Sequence, residues 1–285
     1  METKRINGKA IYSPKGKAGE YAAYACNFYV GCSNDCQYCY CKRGVLGHAM
    51  GAPVATLKKC FKDEADAFEV FRKEVKTNLE TLREHGLFFT FTSDPMLENT
   101  RQLTIIAVGH AVSFGIPCKI LTKRADFIDD LPGEWIINEW YRTRIAFGFT
   151  LTGIDELEPG ANTNEERVKA MRTINGLGFH TFASIEPVIN PHQSIKMIIE
   201  ALYSCDLYQI GLLSGHKDYT KEHIRKFIDE VHQILSPCSD DPKVYWKESI
   251  LNFLGITREE LISQAKTIGN DYVIVDKNYN IFRDQ

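Results

Sequence analysis

Residues 26–39 read Cys26-Asn-Phe-Tyr-Val-Gly-Cys32-Ser-Asn-Asp-Cys36-Gln-Tyr-Cys39, an apolar run that leads directly into a cysteine-rich loop. The aromatic and β-branched residues of 26–31 predict a β-strand. Three cysteines then follow in a CxxxCxxC spacing. In folds built on parallel strands, ligands bind beyond the carboxyl ends of the strands. The loop that starts at Cys32 is therefore a candidate binding site.

Five further apolar runs of strand length follow along the chain, and helical patterns separate them. This alternation is typical of parallel βα units. Six units are too few for a closed eight-stranded barrel, so the sequence predicts an α/β fold with a partial (β/α)6 TIM-like barrel. A doubly wound sheet is the alternative. The five runs are 87–92, 118–122, 144–150, 180–185 and 207–213.

The helices between these strands are predicted from periodicity and from their end signals. Apolar residues spaced by three and four from Phe68 to Leu82 predict one helix that ends before Gly86. Thr163 and Glu166 form a capping box that starts another helix. Further helices are expected at about 101–114, 192–203 and 220–235.

The chain divides on this pattern into a barrel and a smaller carboxyl-terminal part. Residues 1–236 are predicted to form the barrel, with 1–25 as an amino-terminal extension. Residues 237–285 depart from the repeat and are predicted to form a small C-terminal cap.

Composition excludes several classes of protein. The 285 residues are 44% hydrophobic and 25% charged, as in ordinary globular proteins. No run of eighteen apolar residues occurs, and the amino terminus lacks the apolar core of a signal peptide, so a cytoplasmic protein without a membrane segment is expected. The net charge of −3 gives no support for nucleic-acid binding, although a local basic patch remains open.

The nine cysteines favour reduced thiols or metal ligands over a disulfide framework. A structural zinc site needs four ligands, so zinc would also require Cys26, Cys41 or His48. Three thiolates suffice for a [4Fe–4S] cluster that leaves one iron open to another ligand. A zinc module, an iron–sulfur electron carrier or sensor, and a cluster enzyme are the three alternatives. The four scattered cysteines are interpreted as buried small hydrophobic residues: Cys60, Cys118, Cys205 and Cys238.

The cysteine motif, with Tyr38 just before its last cysteine, resembles that of the radical S-adenosylmethionine (SAM) superfamily. Flanking segments resemble the spore-photoproduct-lyase-like branch, whose members are often named DNA repair photolyase. The resemblance covers roughly residues 8–190. The segments that carry it are 12–21, 27–42, Thr92-Ser-Asp-Pro95, Ile120-Leu-Thr-Lys-Arg124, Glu158-Pro-Gly-Ala161 and Glu166-Arg167.

The resemblance implies a radical SAM enzyme. Cys32, Cys36 and Cys39 would hold the [4Fe–4S] cluster, and SAM would chelate the open iron. Reductive cleavage of SAM would yield a 5′-deoxyadenosyl radical, which abstracts hydrogen from an unidentified substrate. A reductant such as flavodoxin or ferredoxin would supply the electron.

The resemblance also implies roles for residues outside the motif. Tyr38 would lie against the adenine, and Ser93 and Asp94 would receive the methionyl ammonium. Lys123 would contact the methionyl carboxylate, and Tyr40 would donate hydrogen along the path of radical return. Three residues after the later strands are candidates for lining a substrate cavity: Glu186, His216 and Lys247. Of these, only Glu186 is assigned to cofactor binding.

The match breaks at Phe91. Spore photoproduct lyases have a cysteine two positions before the serine of the second strand, and that cysteine donates hydrogen to the repaired base. A phenyl ring at residue 91 cannot replace a thiol in this step. Nucleic-acid repair is thus only an alternative function, and the substrate stays open.

Overall fold

A mostly parallel sheet forms the centre of the fold. The computed structural model describes residues 4–215, 218–235, 242–267, 273–277 and 279–282. Within these ranges the sheet has nine strands in the spatial order β1-β2-β5-β6-β7-β8-β9-β10-β11, and only its β1–β2 pair is antiparallel. The strands are β1 (Ile11–Tyr12), β2 (Ala25–Cys26), β3 (Tyr29–Val30), β4 (Thr56–Leu57), β5 (Leu87–Phe89), β6 (Cys118–Thr122), β7 (Ile145–Thr150), β8 (His180–Val188), β9 (Leu207–Leu212), β10 (Lys243–Trp246) and β11 (Val273–Ile274).

Helices connect the parallel strands and cover one face of the sheet. Among the described residues, β1 and β11 form the two ends of the strand order and do not pair, so the barrel is open there. This confirms the predicted α/β partial barrel. The helices are α1 (Gly44–Met50), α2 (Glu64–Thr77), α3 (Leu79–His85), α4 (Arg101–Ser113), α5 (Gly133–Ile137), α6 (Glu139–Arg142), α7 (Asn164–Gly176), α8 (Pro191–Ala201), α9 (Lys221–Leu235), α10 (Glu248–Leu254) and α11 (Arg258–Thr267).

The predicted first strand, 26–31, is wrong in its extent. β2 ends at Cys26, and β3 pairs with β4 in a separate two-stranded sheet. The cause is Asn27, whose side-chain Oδ1 accepts hydrogen bonds from the Phe91 backbone N–H at 3.0 Å and from the Thr90 hydroxyl. This side chain takes the place of a backbone ladder bond. The second strand consequently ends at Phe89 and does not reach residue 92.

The single helix predicted from Phe68 to Leu82 is divided at Asn78. The Asn78 amide side chain donates to the Glu74 carbonyl at 2.9 Å, and its backbone N–H also bonds there. Asparagine favours such caps because its side chain competes with helical backbone bonds. The capping box of Thr163 and Glu166 is confirmed at the start of α7.

The predicted carboxyl-terminal cap contributes to the sheet. β10 pairs in parallel with β9, and β11 pairs in parallel with β10. These strands therefore continue the order of the barrel, while the division into two domains at residue 236 stays a prediction.

Two apolar layers hold the sheet. One lies between the sheet and its helices. The other lies on the opposite face, where Tyr21 of the amino-terminal extension packs with Phe88, Phe182 and Tyr245. The extension thus helps to fill the open barrel. No helix within the described residues has the length and apolar character needed to cross a membrane.

Of the four scattered cysteines, Cys118 and Cys205 are buried as predicted. The prediction is wrong for Cys60, which is exposed in the segment between β4 and α2. Cys238 lies outside the described residues.

Candidate active site

A cavity of about 510 Å³ opens at the carboxyl ends of the central strands. Its wall combines the cysteine-rich loop with the segments that follow β5, β6 and β9 and with the carboxyl-terminal part of β8. The structure brings all nine predicted site residues to this one wall, while their roles as ligands stay predictions. They are Cys32, Cys36, Tyr38, Cys39, Tyr40, Ser93, Asp94, Lys123 and Glu186.

Two glycines determine the path of the cysteine-rich loop. Gly31 has φ +85°, and a Cβ there would lie 2.4 Å from the Val54 carbonyl oxygen. The chain can therefore turn from β3 into the loop only with glycine at this position. Gly160 lies against the other side of the loop, where a Cβ would lie 2.0 Å from the Ser33 carbonyl oxygen. The loop is thus held between two backbone segments.

The three motif cysteines are free thiols in different electrostatic surroundings. A hydrogen bond from the Cys41 thiol lowers the pKa of Cys39 to about 6. Burial raises the pKa of Cys32 to about 12, and burial also raises the pKa of Cys36. Because thiolates are the metal-binding form, the lowered pKa of Cys39 favours metal binding, whereas Cys32 and Cys36 would bind with loss of a proton. Within the part of the chain that the structure describes, no three His, Cys, Asp or Glu side chains converge on a single metal-ion position.

The Asp94 carboxylate is fully hydrogen-bonded within the protein. Its buried carboxylate accepts hydrogen bonds from the Asn34 side chain at 2.7 Å and the Thr122 hydroxyl at 2.6 Å. It also accepts from the backbone N–H groups of Met96 and Lys123, at 2.9 and 2.8 Å. These four bonds use the acceptor positions of a carboxylate. Asp94 thus joins the cysteine-rich loop to the segments after β5 and β6.

Ser93 offers a free polar group at the same place. Its Oγ is buried and has no hydrogen-bond partner among the described residues, and the same holds for Oδ1 of Asn34. Both residues line the cavity. A buried polar atom without a partner costs about 1–3 kcal/mol, so these two atoms on the cavity wall are available for hydrogen bonds to a bound molecule.

A buried ion pair, for which the sequence predicted no role, supports the wall from behind. Glu158 and Arg167 bond to each other, and the side chains of both are 0% exposed. The Tyr38 hydroxyl donates to Glu158, and the Lys123 ammonium lies 3.8 Å from the same carboxylate and 5.5 Å from the centre of the Tyr38 ring. Glu158 therefore positions two of the predicted ligands.

Charges in this cluster stabilise one another. Burial alone would raise the pKa of Glu158, but Lys123 and Arg167 lower it below its ordinary value. Burial would likewise lower the pKa of Lys123, but Cys36 and Glu158 raise it above its ordinary value. Both groups are consequently charged at neutral pH, and Lys123 keeps a positive charge beside Cys36.

Tyr40 lies on the cavity wall with about half of its surface exposed. Its hydroxyl donates to the backbone carbonyl of Phe91. The Phe91 ring in turn stacks on Phe88, with the ring centres 4.4 Å apart. Tyr40, the predicted hydrogen donor, thus lies next to Phe91, which is aligned with the cysteine of the lyases.

Glu186 belongs to a network at the far side of the cavity. Its carboxylate lies 2.5 Å from the ammonium of Lys247 and accepts a 2.7 Å hydrogen bond from the Tyr21 hydroxyl. The Tyr21 hydroxyl also bonds to Ser184 at 2.7 Å. Glu186 therefore has protein partners, whereas the predicted candidate His216 lies outside the described residues.

Comparison with known proteins gives a structural match. No family model matches this sequence, and no curated protein matches it significantly. A single-substitution variant of spore photoproduct lyase matches 84% of this chain and 79% of its own, with a TM-score of 0.60 and 16% sequence identity. The chain has the fold of spore photoproduct lyase. A second variant of spore photoproduct lyase gives a TM-score of 0.59 at 16% identity, over 82% of this chain and 78% of the variant.

Spore photoproduct lyase complexed with a dinucleoside spore photoproduct also matches, with a TM-score of 0.51 and 18% identity over 80% of this chain and 64% of that one. At these identities the likeness concerns the fold. The resemblance that the cysteine motif suggested is confirmed at this level. The chemistry of the cavity has to be argued from its own residues.

Proposed function

We propose that this chain is a radical SAM enzyme, with Cys32, Cys36 and Cys39 as the ligands of a [4Fe–4S] cluster. The observation that carries the proposal is the wall of one cavity. Three free thiols from one loop face it together with the unpartnered Ser93 hydroxyl, at the carboxyl ends of an open parallel barrel. Three cysteines leave one iron of such a cluster open for SAM.

When bound, the cluster supplies the electron that cleaves SAM to a 5′-deoxyadenosyl radical, which abstracts hydrogen from the substrate. The protein residues bind and orient. The Ser93 hydroxyl and Asn34 Oδ1 are unfilled acceptors, which suit the methionyl ammonium. The Lys123 ammonium suits the methionyl carboxylate. Tyr38, held through its hydroxyl by Glu158, presents its ring to the cavity for the adenine.

Asp94 acts as a positioning residue in this proposal. Its four hydrogen bonds come from Asn34, Thr122 and two backbone groups, so it holds the loop of the cysteines beside the Ser93 and Lys123 ligands. It would assist the binding of the ammonium through the negative charge that it places nearby. Glu186, which is paired with Lys247, would act at the substrate side of the cavity.

Tyr40 would donate hydrogen in the later part of the reaction, from a hydroxyl that lies at Phe91. Thymine-dimer repair through a thiol at residue 91 is not part of the proposal, because Phe91 has no transferable hydrogen of that kind. Nucleic-acid repair by another hydrogen donor stays the alternative function, and the proposal leaves the substrate open at this point. The electron would come from a reductant such as flavodoxin or ferredoxin.

The proposal is tested by anaerobic purification and reconstitution with iron and sulfide. About four irons per chain are expected, together with 5′-deoxyadenosine after addition of SAM and a strong reductant. Metal analysis and chromatography measure both. Four irons per chain without 5′-deoxyadenosine would favour an electron carrier or sensor. Zinc without iron would refute the assignment of an iron–sulfur cluster.

Ser93 provides a sharper test of the SAM site. We expect Ser93→Ala to weaken SAM binding about tenfold, because a hydrogen bond to a charged group contributes about 1.5–3 kcal/mol. The free energy of unfolding without SAM should not fall and is expected to rise by about 1 kcal/mol, because the substitution removes a buried hydroxyl that has no partner among the described residues. Equilibrium dialysis with labelled SAM and urea denaturation measure the two effects.

The matched control is Ser194→Ala on α8. Its Oγ is likewise buried without a partner among the residues described, and it does not line the cavity. If both substitutions weakened SAM binding equally, Ser93 would not be a ligand.

A further inference from the structure

Two cations from separate segments meet at the mouth of the cavity. The Lys17 ammonium donates to the Ser214 hydroxyl at 2.7 Å, and an Arg43 guanidinium nitrogen donates to the Ser214 carbonyl at 3.3 Å. All three residues line the cavity. Because both cations contact one serine, their charges are close together, and like charges at short distance repel each other.

No carboxylate of the described residues neutralises them. Neither Lys17 nor Arg43 has an acidic oxygen within 4.0 Å in that part of the chain, which omits the adjoining residues 216 and 217. Lys15, also on the wall, adds a third cation without an acidic partner in the same ranges. Other charged groups of the wall already have partners: Lys42 with Asp35, Lys123 with Glu158, Glu186 with Lys247, and Asp94 with its four donors.

This arrangement is unusual for a chain with a net charge of −3. An exposed lysine alone is ordinary, since charged side chains favour water. Here a lysine and an arginine are instead held together by bonds to one loop residue at the opening of a cavity. An anion placed between them would remove their repulsion and would bond to both, and it could also accept from the Ser214 hydroxyl.

We infer that Lys17, Arg43 and Ser214 bind the anionic group of the substrate, a phosphate or carboxylate carried by a small molecule. The inference rests on the proposed function, since it names the substrate class for the same cavity. The anionic group would anchor the substrate at the mouth, and the rest of the molecule would extend towards the motif cysteines.

A small anionic molecule fits better than a nucleic acid. Proteins that bind duplex DNA commonly neutralise six to ten phosphates along a strand. In contrast, Lys17 and Arg43 converge on one residue, and the chain as a whole carries more acidic than basic groups. The geometry is therefore suited to one compact anionic group.

The experiment uses the full reconstituted chain and measures equilibrium dialysis at low ionic strength. The probes are inorganic pyrophosphate, glutarate and a twelve-nucleotide single-stranded DNA. We expect pyrophosphate or glutarate to bind saturably, and the one that binds identifies the anion. Lys17→Gln and Arg43→Gln should each weaken that binding about tenfold, the contribution of one charge-assisted hydrogen bond.

The matched controls are Lys196→Gln on α8 and Arg225→Gln on α9. Both are exposed side chains outside the cavity wall, and they change the net charge by the same amount. The inference would be overturned if neither small anion bound saturably, or if the controls weakened binding as much as the cavity variants. Tight DNA binding that Lys17→Gln and Arg43→Gln weaken would also overturn it, in favour of a nucleic-acid substrate.

This outcome is separable from that of the proposed function. Anion binding needs neither reductant nor SAM cleavage, so it is measured whether or not 5′-deoxyadenosine forms. Saturable, mutation-sensitive anion binding without any 5′-deoxyadenosine would refute the radical reaction and retain the anion site. Formation of 5′-deoxyadenosine without anion binding would refute the anion site and retain the radical reaction.

Discussion

Replacing Cys36 with alanine is expected to remove the iron from the anaerobically reconstituted protein and to abolish SAM cleavage. Cys36 is one of only three cysteines in the motif, and the cluster would lose one of its three protein ligands. Even the loss of a group that only hydrogen-bonds a metal ligand commonly costs about 10- to 100-fold in affinity or activity. We therefore expect 5′-deoxyadenosine formation to fall by more than about 100-fold. The brown colour expected of a protein with an iron–sulfur cluster should also be lost.

The comparison for this substitution is Cys205→Ala. Cys205 is also a free and buried thiol, but it lies before β9 and does not line the cavity. Its removal should leave the iron content and the rate unchanged. Urea denaturation of both variants shows whether the chain still folds. If a folded Cys36→Ala protein retained full iron content and cleavage, the assignment of the cluster to this motif would be incorrect.

Cys41 gives a second comparison within the same loop. Its thiol contacts Cys39 and lowers the pKa of that thiol. If Cys41 were a fourth ligand, Cys41→Ala would lose iron as Cys36→Ala does. Retention of iron in Cys41→Ala would exclude Cys41 as a necessary ligand.

The architecture was predictable because it depends on repeated local signals. Apolar runs followed by helical periodicity predict βα units wherever the chain folds, and the capping box at Thr163 has the same local origin. The position of the cavity follows as well, since the residues after parallel strands meet at one edge. This rule indicated the residues that follow each strand, and the family resemblance then assigned roles to Ser93, Asp94 and Lys123.

Features that depend on side chains distant in sequence were not predictable. The end of the first strand is set by Asn27, whose partners Thr90 and Phe91 lie more than sixty residues away. The saturation of Asp94 by four donors from three segments is likewise a property of the folded chain. The sequence could therefore identify Asp94 as a site residue but could not distinguish a ligand from a positioning group.

Arg167 carried a signal that was available in the sequence. It lies on the apolar face of α7, four residues before Met171 and seven before Ile174. A charged residue on a core-facing position requires a buried partner. The identity of that partner, Glu158, depends on a loop nine residues earlier and could be known only from the structure.

Arg167→Met is expected to produce the largest loss of stability among the substitutions considered. Both side chains of the pair are fully buried, and Arg167 also donates to the Thr150 carbonyl at 2.6 Å. Removal of Arg167 leaves the buried Glu158 carboxylate with only the more distant Lys123 ammonium, at 3.8 Å, as a counter-charge among the described residues, and loss of one partner of a buried ion pair typically costs about 3–5 kcal/mol. Urea denaturation of the full chain measures the free energy of unfolding.

Two further variants separate the charge effect from other causes. Arg172→Met on the same helix removes an exposed ion pair with Glu200, so a change below about 1 kcal/mol is expected. The double variant Arg167→Met/Glu158→Gln removes the uncompensated charge and should recover about 2 kcal/mol relative to Arg167→Met. If the double variant regained no free energy of unfolding, the loss in Arg167→Met would have to arise from packing.

The pH dependence provides the decisive test of this explanation. In the native chain Lys123 and Arg167 hold the pKa of Glu158 below its ordinary value, so this group stabilises the fold above its unfolded pKa and loses that contribution as pH falls through its folded pKa. Without Arg167, burial is opposed mainly by Lys123, and the pKa of Glu158 should rise. The carboxyl can then become neutral in mildly acidic solution. Relative to the native chain, Arg167→Met should therefore lose more free energy of unfolding at pH 8 than at pH 5. An equal deficit at both pH values would exclude an uncompensated carboxylate as its cause.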